Sequence, residues 1–214
     1  MFFRNCLRPL VTSALSALLL ANASVCHAQP APAYARISPP LPSDTPGKIE
    51  VLEFFAYTCG HCAKIDPLIA QWSRHIPPGV VLKRVPIAYN ANMRPMQQFY
   101  YALAALNRTD LHARFFDAIH NEHQRLFDRT AIEAWAVSQG LEKAKFDAAF
   151  DSFGVQVEMR RASQLAESYH IKGTPSFAVG GQYLTSPAMA GNSYAGAIQQ
   201  VDHLIAMLQG HTQN

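Results

Sequence analysis

Cys59 and Cys62 stand three positions apart in the run Cys59-Gly60-His61-Cys62, and few chemistries use cysteines at that spacing. A structural staple is poorly served by it. Closing so short a loop restrains the unfolded chain by roughly 2 kcal/mol, against about 3 kcal/mol for a 15-residue loop. Zinc needs four ligands, and the partner spacing His-x3–5-His is absent; His120 and His123 are only His-x2-His, in a stretch that reads as a surface helix. A c-type haem needs His directly after the second cysteine, where Ala63 stands. Thiol–disulfide exchange remains the strongest reading of the pair.

The elements around the pair favour that reading. Lys48-Ile-Glu-Val-Leu-Glu-Phe-Phe55 is a short apolar and aromatic run with strand character. Beyond Cys62, the residues Ile65, Leu68, Ile69 and Trp72 fall at i, i+3, i+4 and i+7, one face of a helix. Cys59 is therefore expected at or just before a first helical turn. Unpaired amides and the positive end of the helix dipole would face its sulfur there, favouring thiolate over thiol. His61 can add a positive or hydrogen-bonding group against the same thiolate. Cys62, deeper in the helix, would be the less exposed, resolving thiol. A stabilised thiolate stabilises the reduced protein against the disulfide, so the disulfide form is an oxidant.

The rest of the chain sets the context. Of its 214 residues, 49% are hydrophobic and 15% charged, which is too apolar for a disordered chain. The formal charge of +3, from 18 basic and 15 acidic residues, argues against nucleic acid or an anionic membrane as the main partner. Residues 1–28 read as a signal peptide: Arg4 and Arg8, an apolar run from Leu10 to Ala21, and small residues before a cleavage point after Ala28. Cys6 and Cys26 would leave with it, so the exported chain keeps only Cys59 and Cys62. Residues 29–47 form a leader holding six of the 14 prolines, with an edge strand expected near Ala35–Ser38. Val80–Ile87 is a second central strand, with Pro86 lacking an N–H near its end. Apolar spacings predict helices from about Met93 to Ile171. They fall on Phe99, Leu103 and Leu106; on Leu111, Phe115 and Ile119 behind an Asp110 cap; on Ile132, Trp135 and Ala136; on Phe146, Phe150 and Phe153; and on Val157, Leu165 and Tyr169. Gly140 and Gly154 mark breaks between helices. A hairpin over Ser176–Thr185, turning at Gly180-Gly181, and an amphipathic helix from Ser193 to Leu208 close the chain. No glycine-rich phosphate loop occurs, so no nucleotide or flavin cofactor is expected, and no metal.

The segment Val51-Leu-Glu-Phe-Phe-Ala-Tyr-Thr-Cys-Gly-His-Cys62, Pro67 within the following helix, and Gly173-Thr174-Pro175 entering a strand resemble the DsbA-type thiol:disulfide interchange proteins of the thioredoxin superfamily. Gly60 departs from them, since that pattern usually has Pro and Cys-Gly-His-Cys is the pair of protein disulfide isomerases. The resemblance turns a mixed α/β reading into a specific one, a thioredoxin fold with an inserted all-helical domain. Residues 48–92 and 172–214 would form the thioredoxin-like domain and 93–171 the inserted helical domain.

It also implies roles. Cys59, Cys62, His61 and Glu53 would be catalytic, with Glu53 a buried acid relaying a proton as Cys62 attacks or leaves. Lys83 or Arg84 would neighbour that acid. Thr174 and a cis Pro175 would bind an extended substrate, and His170, Met93 and Met96 are candidates for an adaptable rim. The implied function is an exported, periplasmic disulfide oxidase acting as a monomer on cysteine-bearing secreted proteins, reoxidised by a quinone-linked membrane partner of the DsbB kind. The alternatives are an isomerase or reductase on the same fold, prompted by Gly60, and a non-catalytic dithiol protein that binds a metal or a peptide.

Overall fold

A computed structural model describes residues 32–211. The expected signal peptide and the cysteines at 6 and 26 lie outside them. The strands are β1 (Ala35–Arg36), β2 (Ile49–Phe55), β3 (Val80–Pro86), β4 (Ser176–Val179) and β5 (Tyr183–Thr185). They form one sheet in the order β1-β5-β4-β2-β3. β2 and β3 are parallel, and every other pairing is antiparallel. The helices are α1 (Gly60–Ser73), α2 (Arg94–Ala105), α3 (Leu111–His120), α4 (Arg129–Ser138), α5 (Lys143–Phe150), α6 (Phe153–Ser168) and α7 (Tyr194–His211), with a 3-10 turn at Ala91–Met93. Five of the helices, α2 to α6, intervene between β3 and β4.

β2 is the central strand, and its continuous apolar run suits burial on both faces. Val51 points into a core shared with Ile65 and Ile69 of α1, Phe177 and Val179 of β4, and Val201 and Ile205 of α7. Leu52 and Phe54 point the other way, onto Val155, Met159 and Ala162 of α6. Phe55 and Tyr57 run on into a third core built with Phe99, Phe115, Trp135 and Phe146 of the helical block. Cys62 belongs to that third core, so the redox helix is packed between sheet and helical block. β3 is the edge strand and not the second central one expected, which suits Pro86: an amide there would face away from β2, and the Ile87 N–H makes the ladder bond to the Phe55 carbonyl at 2.6 Å.

Three local expectations need correction. Asp110 occupies the N-cap position of α3 but caps nothing: its carboxylate is taken by Arg108 at 3.0 Å. Gly154 does not break a helix; it is the second residue of α6, which begins after Ser152, whose hydroxyl accepts from the Val155 amide. Phe153 is not core but 78% exposed, beneath the Arg160 guanidinium, and Val157 is also exposed. Both follow from the shifted start of α6, which turns the positions around Val155, Met159 and Ala162 inward.

The leader is tied to the hairpin as well as turned by its prolines. Ile37 N–H bonds Gln182 O and Leu41 N–H bonds Gly181 O, while Thr185 Oγ1 donates to Ala33 O. Gly181 sits at φ +68°, and a Cβ there would lie 2.0 Å from the Leu41 carbonyl oxygen. Gly181→Ala is therefore expected to cost at least about 2 kcal/mol, from a left-handed backbone plus a clash with main chain. A urea melt against the wild type measures it.

Candidate active site

Cys59 is the N-cap of α1. A turn closed by the Cys59 N–H on Ala56 O at 3.0 Å delivers it, with extended dihedrals of φ −87° and ψ 108°. Its sulfur takes the place a Ser or Asp oxygen fills in an ordinary cap, accepting the Cys62 amide at 3.4 Å. The strand's end and the helix's start thus aim one polarisable atom at a row of free amides. The hydrogen bond from Cys62 does most to hold the Cys59 thiol down to about 5; partial burial opposes it, and the Cys62 and His61 amides add to it. Cys62 is fully buried, and burial followed by its bond to Cys59 pushes its own thiol far up. The two sulfurs therefore differ in access and in acidity, in the directions that spacing alone predicts.

The chain from 173 to 176 closes the site from the far end of the sequence. The Thr174–Pro175 bond is cis, and the Cys59 thiol donates to the Thr174 carbonyl at 3.2 Å. Beside it opens a groove of about 800 Å³, lined by His61, His170, Thr174, Pro175, Met189 and Tyr194 among others. His170 is thus in the groove wall. Met93 lies instead in a second cleft with Thr58 and Phe127; Met96 borders that cleft but is buried in the helical core. The His61 ring does not reach the Cys59 sulfur: its Nδ1 is 2.7 Å from the Tyr194 hydroxyl.

Glu53 is fully buried, and burial raises its pKa to about 7 despite an Arg84 Nε at 3.0 Å. Arg84, not Lys83, is the neighbouring cation. The parallel register sets Arg84 opposite Glu53 and Lys83 opposite Leu52, and alternate side chains point to opposite faces. Lys83 pairs with Glu50 instead. The polar contact of Glu53 is with Arg84, and neither sulfur is hydrogen-bonded to it. Because the folded carboxyl holds its proton to about pH 7 where the unfolded one releases it near 4.5, stability falls as pH rises through that window. In the oxidised protein Glu53→Gln should remove a slope approaching about 1.4 kcal/mol per pH unit, read from denaturant melts between pH 4.5 and 7.

Several residues around the site carried no clear signal in the sequence. Arg84 Nη2 also reaches Asp66 of α1 at 3.1 Å. His112 of α3 sets Nε2 3.3 Å from the same carboxylate, and its Nδ1 shares a 2.8 Å hydrogen bond with the Tyr57 hydroxyl. Burial works against the Asp66 charge, but His112 and Arg84 outweigh it and keep its pKa below the usual range. Burial also lowers the His112 pKa, against the opposing pull of Asp66. His120, the last residue of α3, bonds the Tyr57 carbonyl at 2.8 Å, so α3 grips the residue two before Cys59 at both its polar ends. Asp66 was detectable in principle, as an acid between Ile65 and Pro67 in a helix that must bury Ile65. His112, His120 and Tyr194 depend on packing between distant segments. Among the described residues no group of three or more His, Cys, Asp or Glu is arranged to hold a metal ion, and no helix is long and apolar enough to cross a membrane.

Comparison with known proteins agrees with this geometry. Residues 69–200 match the model of the DSBA-like thioredoxin domain. The thiol:disulfide interchange protein DsbA of Bordetella parapertussis is 60% identical over 198 residues, covering 92% of this chain and 94% of that protein. The DsbA of Pseudomonas aeruginosa strain PAO1 is 32% identical over 173 residues, covering 80% of this chain and 82% of its own. The crystal structure of Pseudomonas aeruginosa DsbA superposes with a TM-score of 0.82 at 30% identity, covering 86% of this chain and 95% of that one. NmDsbA1 of N. meningitidis gives 0.75 at 25% identity, covering 86% and 95%. With its two unlike sulfurs at a helix cap, this chain belongs to the DsbA-like family of thioredoxin-fold proteins and is a protein-disulfide oxidoreductase.

Proposed function

We propose that the protein is a periplasmic disulfide donor, exported through residues 1–28, that oxidises cysteine pairs in folding secreted proteins. The observation that carries this reading is the contrast between the sulfurs: Cys59 partly exposed with its thiol held near 5, Cys62 buried and held far above its usual value. A client thiolate attacks Cys59 in the Cys59–Cys62 disulfide, forming a mixed disulfide and releasing Cys62, which takes up a proton. The client's second thiolate then attacks the client sulfur of the mixed disulfide and expels Cys59, a good leaving group because its thiolate is stabilised. The client loses two protons and two electrons; the protein gains both electrons and the Cys62 proton, and the other proton goes to solvent because Cys59 stays a thiolate.

In this reading, residues 48–92 and 172–214 form the redox domain and 93–171 the helical insertion that buries Cys62. Thr174 and Pro175 lie where an extended client segment would run, along the groove beside Cys59. A membrane partner of the DsbB kind would reoxidise the dithiol, with the protein working as a monomer. Glu53 would act on the Cys62 proton at a distance, through the buried charges around Arg84.

Gly60 motivates an isomerase reading, but the donors to the Cys59 sulfur are the Cys62 thiol and the amides of residues 61 and 62, none of which depends on the side chain at 60. Two assays separate the readings. The oxidised protein should convert a reduced, unfolded two-cysteine client to its disulfide form stoichiometrically. A scrambled client with no added oxidant should gain little. Efficient rescue of the scrambled client together with slow oxidation of the reduced one would reverse the assignment.

A further inference from the structure

His61 lies between the two sulfurs in sequence, yet its ring is turned to the groove wall, where Nδ1 meets the Tyr194 hydroxyl at 2.7 Å. The rings are 6.2 Å apart and inclined at 51°, so the contact is through the polar atoms and not by stacking. His61 is the second residue of α1 and Tyr194 the first of α7, and the two residues are 133 positions apart. Ser193 Oγ accepts the Gly196 amide at 2.9 Å, which fixes the first turn of α7 and hence the tyrosine's place. His61 assists the Cys59 sulfur through its main-chain amide, and the imidazole supplies none of that help.

We propose that Tyr194 is a positioning residue of the redox centre: its hydroxyl anchors the His61 imidazole to the groove wall and away from the Cys59 sulfur, and so limits the oxidising strength of the disulfide. An unanchored imidazole, tethered two residues from Cys59, gains most by turning an N–H toward the thiolate, because a hydrogen bond to an ionised partner is stronger than one to a neutral hydroxyl or water. That contact would stabilise only the reduced form, since the disulfide has no anionic sulfur to bind. The inference rests on the disulfide-donor reading and names what tunes the donor.

The test is a double-mutant cycle over wild type, Tyr194→Phe, His61→Ala and the double variant. Each is equilibrated with glutathione (disulfide plus two glutathione giving dithiol plus glutathione disulfide), and the thiolate absorbance of Cys59 is followed against pH. Tyr194→Phe keeps the ring and removes only the hydroxyl. It is expected to shift the equilibrium toward the dithiol by about threefold or more and to lower the thiolate midpoint correspondingly. In the His61→Ala background the same change should shift neither quantity. Unchanged values in Tyr194→Phe, a shift of opposite sign, or an undiminished shift without His61 would overturn the role assigned to Tyr194. The wild type alone tests the reading beneath it: failure to oxidise glutathione would remove the donor function whatever the variants do.

Discussion

Cys59→Ala is expected to abolish disulfide transfer, lowering the rate of client oxidation by at least about a thousandfold, whereas Cys62→Ala, which loses the disulfide too, should still be trapped by clients that already carry one. The asymmetry follows from burial and acidity together. Cys62 has no exposed surface and a thiol pushed far above its usual value, so without Cys59 it presents almost no thiolate to solvent at neutral pH. Cys59 keeps its helix amides in the absence of Cys62, although the hydrogen bond from Cys62, the largest single contribution to its acidity, is lost. In Cys62→Ala the Cys59 thiolate can attack the disulfide of a client that already carries one, expelling one client thiolate, and the mixed disulfide so formed has no internal thiol to resolve it. Non-reducing electrophoresis after quenching with acid should show that adduct accumulating with Cys62→Ala and absent with Cys59→Ala. Equal adduct formation by both variants would contradict the division of roles.

Between pH 4 and pH 7 the reduced protein should gain about 2 kcal/mol of stability relative to the oxidised one, after allowing for solvent screening of a partly exposed sulfur. The Cys59 thiol titrates near 5 in the fold and near 9 when unfolded. Between those values the folded reduced protein binds fewer protons than the unfolded one, so its stability grows with pH across the window. The contribution is complete above pH 9 and is lost as pH falls through 5. The disulfide form has no such group. Below pH 9 Cys62 is protonated in both folded and unfolded reduced chains and adds no slope, while Glu53 acts on both redox forms and cancels in their difference. Urea melts of the two forms at pH 4 and pH 7 measure this gain; a difference between the forms that does not change between the two pH values would show that the thiolate is not its source.

The same sulfur illustrates what was legible along the chain. Its position at a strand-to-helix junction follows from an apolar run ending at Phe55, the three residues before Cys59 and a helical periodicity beginning at Ile65, all close together in the chain. α6 was misread for a related reason. Phe150, Phe153 and Val157 satisfy a helical spacing, but Ser152 caps a new helix between them, and a hydroxyl that bonds an amide three residues on leaves little trace in an apolar pattern. Asp110 failed differently, because a neighbouring arginine competed for the carboxylate that the cap required.

By itself the sequence determined the dithiol, its helix cap, the strand that leads to it and the acid within that strand, because each is set by interactions between residues close in the chain. Which cation neighbours Glu53 awaited the register of β2 against β3. That Thr174, 115 positions from Cys59, meets its sulfur, that α3 holds Tyr57 by two histidines, and that His61 turns to Tyr194 were decided only by the tertiary structure. Those contacts join segments whose approach depends on how three cores pack at once, and no short-range pattern encodes that packing.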